Sequence, residues 1–382
     1  MSKSFFIWGG VALFVLSFAG FGGWMLSLPV ATAASAPPVP REEAQALLAS
    51  LRPVERTRPL VAVIGINDAT ETTDYLMPTG ILRRADVADV ALLATGPGPV
   101  QLYPALAVEP DATIAAFDAE HPEGADYVVV PAMSRDDDPA ALAWIRSQAE
   151  KGATIIGICA GAKVVAAAGL LDGRRATTHW YYLDEMLKRS PTIRYVADRR
   201  MVAEEGVVTT TGITASMPMM LTLIEAIAGR ERAEAVAHDL GVETWDARHA
   251  SAAFRLTRPF VATVLANRMV FWNRETLGIR LEPGMDEVSL ALAADAWSRT
   301  YRSGVATFAA VPGVVETANG VRVVPDHAGA DWPRALDAST FPGRKPAEAL
   351  DLTLAAIAAR YGARTTDVVA MQLEYPRQAA GR

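Results

Sequence analysis

Residues 153–173, ATIIGICAGAKVVAAAGLLDG, constrain the fold more than any other stretch of this chain. Residues 153–158 form a short apolar run rich in β-branched side chains, which reads as a buried parallel strand. Residues 162–171 are apolar over a helical length, with Gly173 just beyond, where a helix would stop. Between them stands Gly157-Ile158-Cys159-Ala160-Gly161, a G-x-nucleophile-x-G elbow with cysteine at the nucleophile position. A sharp strand-to-helix turn leaves no room for side chains on either side of the nucleophile, so the glycines are steric requirements. Cys159 would sit at a helix N-terminus, whose partial positive charge favours thiolate over thiol.

The remainder of residues 60–254 repeats the alternation of strand and helix. Apolar strands are expected at 60–66, 89–94 and 127–131, helices at 74–84, 138–151, 216–227 and 230–240, and a hairpin through Glu204-Glu205. This order defines an α/β domain with a doubly wound parallel sheet, in which ligands bind beyond the carboxyl ends of the strands. Residues 67–74, 132–136 and Cys159 all fall at that end.

Composition narrows the class. With 382 residues the chain is long enough for two domains. A net charge of −7 recommends no nucleic-acid partner, and a single cysteine excludes an intrachain disulfide and a four-cysteine zinc site. No metal, nucleotide or phosphate motif is present, so no cofactor is expected. The mean hydropathy, +0.17, is high because residues 4–40 carry no charge. Residues 5–28 are apolar over enough length for a transmembrane helix, with Lys3 before them and Arg41 the first charge after. This predicts a single-pass anchor over residues 1–30, a linker over 31–58 and an extracytoplasmic body. A cleaved signal ending near ATAASA is the alternative.

The C-terminal part, residues 255–382, is less regular. Helices are expected at 260–276, 285–301, 347–361 and 365–373. Residues 305–327 (VATFAAVPGVVETANGVRVVPDH) parallel residues 90–112 (VALLATGPGPVQLYPALAVEPDA) without a gap, placing Val323 on Val108 and Asp326 on Asp111. This stretch reads as a degenerate partial second copy that lacks a cysteine elbow.

At CAGAKVVAAAGLLDGRRATTHW (159–180) the chain resembles the ThiJ/PfpI superfamily, a class I glutamine amidotransferase-like group with a flavodoxin-like sheet. The nearest likeness is to isonitrile hydratase and the amidase-like N-terminal domains of AraC-type regulators. It runs over about residues 60–254, and VVTTTGITASMPMMLTLIEAIAG belongs to it. The resemblance implies a catalytic set of Cys159, Asp74 (four residues before Pro78) and His179. It also implies an oxyanion site from the amides of Ala160, Gly161 and Ala132. Two departures stand out. Pro131-Ala132-Met133 replaces the family's Pro-Gly-Gly, and Ala160 follows the cysteine where isonitrile hydratase-like sequences carry Thr. No DNA-binding domain is recognisable after Phe254.

Two functions are compatible with this reading. One is a cysteine-dependent hydratase, hydrolase or deglycase acting on a small electrophile. The other is a ligand-binding or redox-sensing domain with a residual thiol. The expected partners are a small molecule and the membrane, with the chain a monomer or homodimer. Residues 255–382 are expected to pack on the first domain in place of a partner subunit.

Overall fold

The computed structural model describes residue 17 and residues 19–30, 35–53, 56–329 and 336–375. The centre is a seven-stranded sheet, in the order Met201–Glu204, Val207–Thr210, Thr154–Gly157, Tyr127–Val130, Leu60–Gly65, Asp89–Ala94 and Ala112–Thr113. Every pairing is parallel except that of the edge hairpin, Met201–Glu204 with Val207–Thr210. The central strands are buried along their whole length, which explains their uninterrupted apolar runs. One face packs on helices Pro139–Glu150 and Gly161–Ala167, the other on Thr72–Ala85 and Ser216–Ala228. The chain is thus an α/β protein with a mixed, mostly parallel sheet.

The C-terminal part adds a parallel three-stranded sheet, Glu275–Arg280, Ser303–Ala309 and His327–Ala328. The first of these strands lies where the helix expected over 260–276 should have ended. That helix stops at Met269, and a short turn, Phe271–Asn273, precedes the strand.

The two parts share a detailed pattern 215 positions apart. Asp111 Oδ2 accepts the Leu92 amide at 2.7 Å, and Asp326 Oδ2 accepts the Thr307 amide at 2.7 Å. Leu93 pairs with Ala112, and Phe308 with His327. Glu71 caps helix Thr72–Ala85 by accepting the Asp74 amide, and Asp286 caps helix Glu287–Ser298 by accepting the Ser289 amide. The C-terminal helix pairs also correspond. Ser216–Ala228 and Arg230–Leu240 turn at Gly229 (φ 87°, ψ 169°), while Pro346–Tyr361 and Ala363–Leu373 turn at Gly362 (φ 85°, ψ 160°).

Equivalent positions also meet each other. Strand Arg322–Val324 runs antiparallel to Ala107–Glu109, with Val323 opposite Val108, so positions 215 apart pair about a local two-fold. Beside it, helices Thr72–Ala85 and Glu287–Ser298 pack together. Gly80 permits the approach, because a Cβ there would lie 2.4 Å from Glu287 Oε1. Two ion pairs complete the symmetry: Arg84 with Asp286, and Arg299 with Glu71. This is the geometry of an isologous dimer interface, formed here within one chain.

The membrane location expected from residues 4–40 is corrected. The span 5–28 lies in its larger part outside the described residues, as does Lys3. Among the described residues no helix is long and apolar enough to cross a membrane. The described end of that segment docks on helix Arg258–Met269, where the Arg258 guanidinium donates to Leu26 O and the Arg258 amide to Pro29 O.

Candidate functional site

The elbow places Cys159 between strand Thr154–Gly157 and helix Gly161–Ala167, with φ 55°. That left-handed conformation disfavours a side chain and persists only where the surroundings fix it. Here both backbone groups of Cys159 are held by threonine hydroxyls. Its amide donates to Thr210 Oγ1 at 3.1 Å, and its carbonyl accepts from Thr178 Oγ1 at 3.0 Å. Gly161 is obligatory, since a Cβ would fall 2.0 Å from Val130 O. Gly157 is tight, with a Cβ placed 3.1 Å from Ala162 Cα.

Cys159 is buried at the base of a cavity of about 860 Å³. Burial, followed by the carboxyls of Asp74, Glu71 and Glu374, pushes its thiol well above the ordinary range. The stabilised thiolate expected from the helix N-terminus is therefore corrected. The helix has only seven residues, and burial and the nearby carboxyls raise the thiol.

Asp74 lies in the first turn of helix Thr72–Ala85 and is fully buried. Its Oδ2 accepts the Ala132 amide at 3.2 Å, while Oδ1 has no hydrogen-bond partner among the described residues. Burial and the neighbouring Glu71 push this carboxyl well upward. Asp74 and Cys159 are thus two buried acids, and the Asp74 carboxyl is among the groups that raise the thiol's proton affinity.

Glu71, Asp295 and Arg299 escaped the sequence reading. Glu71 Oε2 accepts the Asp74 amide and the Thr73 hydroxyl, both at 2.7 Å. Its Oε1 accepts from Arg299 Nη2 at 2.7 Å, and Arg299 Nε also donates to Asp295. Two carboxyls share one buried guanidinium, and burial together with Asp295 pushes Glu71 up to about 7. The signal was present in the repeat: carried back, the register of 305–327 places Arg299 on Arg84 and Asp286 on Glu71.

His179 reaches the cavity wall, but both of its ring nitrogens are committed. Nδ1 accepts the Tyr181 amide at 3.1 Å, so Nε2 carries the proton and donates to Gln372 O at 2.9 Å. Burial lowers its pKa to about 4. The ring is a neutral tie to the C-terminal helix, with no free nitrogen for the thiol. Glu374, one residue past that helix, accepts the Trp180 amide at 2.8 Å and lies 3.0 Å from His249 Nε2.

The three amides expected at an oxyanion site differ in availability. The Ala132 amide is taken by Asp74, and the Gly161 amide donates to Ile158 O at 2.7 Å. The Ala160 amide alone is directed at the sulfur, where it opposes the upward push. The 132–134 loop is pinned along strand Asp68–Glu71, since the Glu71 amide donates to Ala132 O and the Ser134 amide to Ala69 O. That pairing accommodates Ala132 and Met133 where Gly-Gly was expected.

Residues 61–226 match the DJ-1/PfpI family. The chain is 39% identical to isonitrile hydratase of Pseudomonas putida over 101 residues, covering 26% of this chain and 42% of that protein. It is 39% identical to the HTH-type transcriptional regulator CdhR of Pseudomonas aeruginosa over 95 residues, covering 25% and 28%. It therefore matches less than half the length of either. The crystal structure of Drosophila melanogaster DJ-1beta aligns with 24% identity and a TM-score of 0.44, over 49% of this chain and 100% of that one. This chain carries a DJ-1/PfpI family domain.

Proposed function

We propose that the chain is a cysteine-dependent enzyme of the hydratase or hydrolase kind, acting on a small electrophile, and that residues 255–375 are a degenerate second copy completing its one site. The observation that carries this reading is Cys159 itself. A strained residue, pinned on both sides, faces a large cavity beside a buried carboxyl with an unpartnered oxygen. In the proposed step the sulfur adds to a carbon multiply bonded to nitrogen or oxygen. The S–C bond forms and one π bond opens. The thiol proton passes through Asp74 to the substrate, so no net charge builds in the buried site. Water then takes the place of sulfur, and its second proton restores the thiol. Arg299, fixed by Glu71 and Asp295, is a positioning residue for the wall that holds Asp74.

A second reading, a ligand-binding domain with a resting thiol, draws support from the committed His179, Ala132 and Gly161 groups. Turnover of an isonitrile and aldehyde panel by the full chain, with intact-mass detection of Cys159 adducts, separates the two. Cys159→Ser and Asp74→Asn should each lower turnover by at least about 100-fold. A Cys159→Ser protein as active as the unsubstituted chain overturns the enzymatic reading. Binding without adduct or product supports the second.

A further inference from the structure

The helix Arg258–Met269 precedes the strand Glu275–Arg280 of the C-terminal part. Its N-cap, Thr257, holds the Phe260 amide, and its buried Asn267 donates to Thr300 O and Thr365 Oγ1 at 2.9 and 3.1 Å. The helix is thereby fixed against the C-terminal part. The face it turns to the cavity carries Phe260, Val261, Val264 and Leu265, opposite Trp180 and Tyr182 on the elbow side. Phe260 meets Trp180 edge-on, with ring centroids 5.6 Å apart. Arg299 and Arg268 also line this space; two carboxyls match the Arg299 charge, and the Arg268 guanidinium lies over the Tyr301 ring, 4.7 Å from its centroid. The same helix and the turn after it expose Met269, Phe271 and Trp272.

We infer that this site takes a predominantly apolar molecule of drug-like size, an alkyl or aryl body carrying the electrophilic carbon at one end, rather than an electrophile of two or three carbons. The inference rests on the enzymatic reading for the reactive end and on the cavity alone for the body. A cavity near 860 Å³ stands at the upper end of the range for drug-sized ligands, and a two-carbon molecule would leave most of it filled by water against aromatic walls. Burying an alkyl body there displaces that water. Each added methylene should then tighten binding by roughly fourfold while space remains.

The test uses the full chain and unreactive primary amides from four to ten carbons, with dissociation constants measured by calorimetry. The expected result is at least about a hundredfold tightening from butanamide to decanamide. It should hold in Cys159→Ser as well, because the body and not the sulfur is being read. Val264→Trp and Val261→Trp, each checked for an unchanged melting profile, should remove most of that gain by filling the space. Equal affinity across the series, or a gain untouched by both tryptophan variants, overturns the inference even if Cys159 turns over small electrophiles. A steep series in a chain that forms no Cys159 adduct keeps the apolar ligand and removes only the enzymatic reading.

Discussion

Cys159 shows what spacing in a sequence can and cannot carry. The G-x-C-x-G pattern locates the turn because steric exclusion is local: Gly161 faces Val130 O whatever else the chain does. Gly161→Ala should therefore cost more than about 3 kcal/mol, or prevent folding, as read by denaturant titration. Gly157→Ala, with a clearance of 3.1 Å, should cost distinctly less. The charge state of the thiol was not legible, because it depends on carboxyls brought in from positions 71, 74 and 374. The tautomer of His179 was hidden in the same way, being set by Tyr181 and Gln372. These buried groups give stability a particular pH dependence. From about pH 4.5 to 7 the folded chain keeps a proton on Glu71 that the unfolded chain has released, so that contribution falls as pH rises. His179, lowered to about 4, acts oppositely between about 4 and 6.5, where the unfolded chain binds the extra proton. Glu71→Gln should accordingly lose less stability than the unsubstituted chain between pH 6 and 8, measured by melting temperature at both values.

Among the elements, those with a continuous apolar run or a clear cap were legible, including strand Tyr127–Val130 and helix Pro139–Glu150 behind its Asp138 cap. Strand Glu275–Arg280 was not. Its residues ETLGIR follow directly on a helical pattern, and its apolar face is only three residues deep. It holds because Ser303–Ala309 pairs along all six residues. The paired helices Thr72–Ala85 and Glu287–Ser298 allow a comparison within one molecule. Arg299→Ala leaves two buried carboxyls without their cation and should cost about 3–5 kcal/mol. Arg84→Ala, at the mirrored position but partly exposed with Asp286, should cost at most about 1–2 kcal/mol. Equal losses in the two variants, measured by urea titration, would mean that the mirrored pairs do not differ in burial as described.

At the scale of the whole molecule, the repeat in residues 305–327 was legible because its hairpin and proline positions match without a gap. Its extent was not, since helices such as Ala363–Leu373 share only buried positions with their counterparts. In the proposed reading the second part takes the place of a second subunit. The full chain should sediment as a monomer at micromolar concentration. A chain ending at residue 254 exposes the helix face around Gly80 and the free edge of strand Ala107–Glu109, and should dimerise or aggregate. A truncated chain that stays monomeric with an unchanged melting temperature would show that residues 255–375 form an independent module.

The proposed step passes the Cys159 thiol proton to Asp74 within a buried site. The rate of Cys159 alkylation by iodoacetamide from pH 6 to 10.5, in the unsubstituted chain and in Asp74→Asn, reads this directly. Slow labelling at pH 7 is expected, with a rate still climbing above about pH 9 and a profile moved to lower pH once the Asp74 charge is removed. Labelling that is already at its plateau at pH 7, or a profile that Asp74→Asn leaves in place, would contradict it.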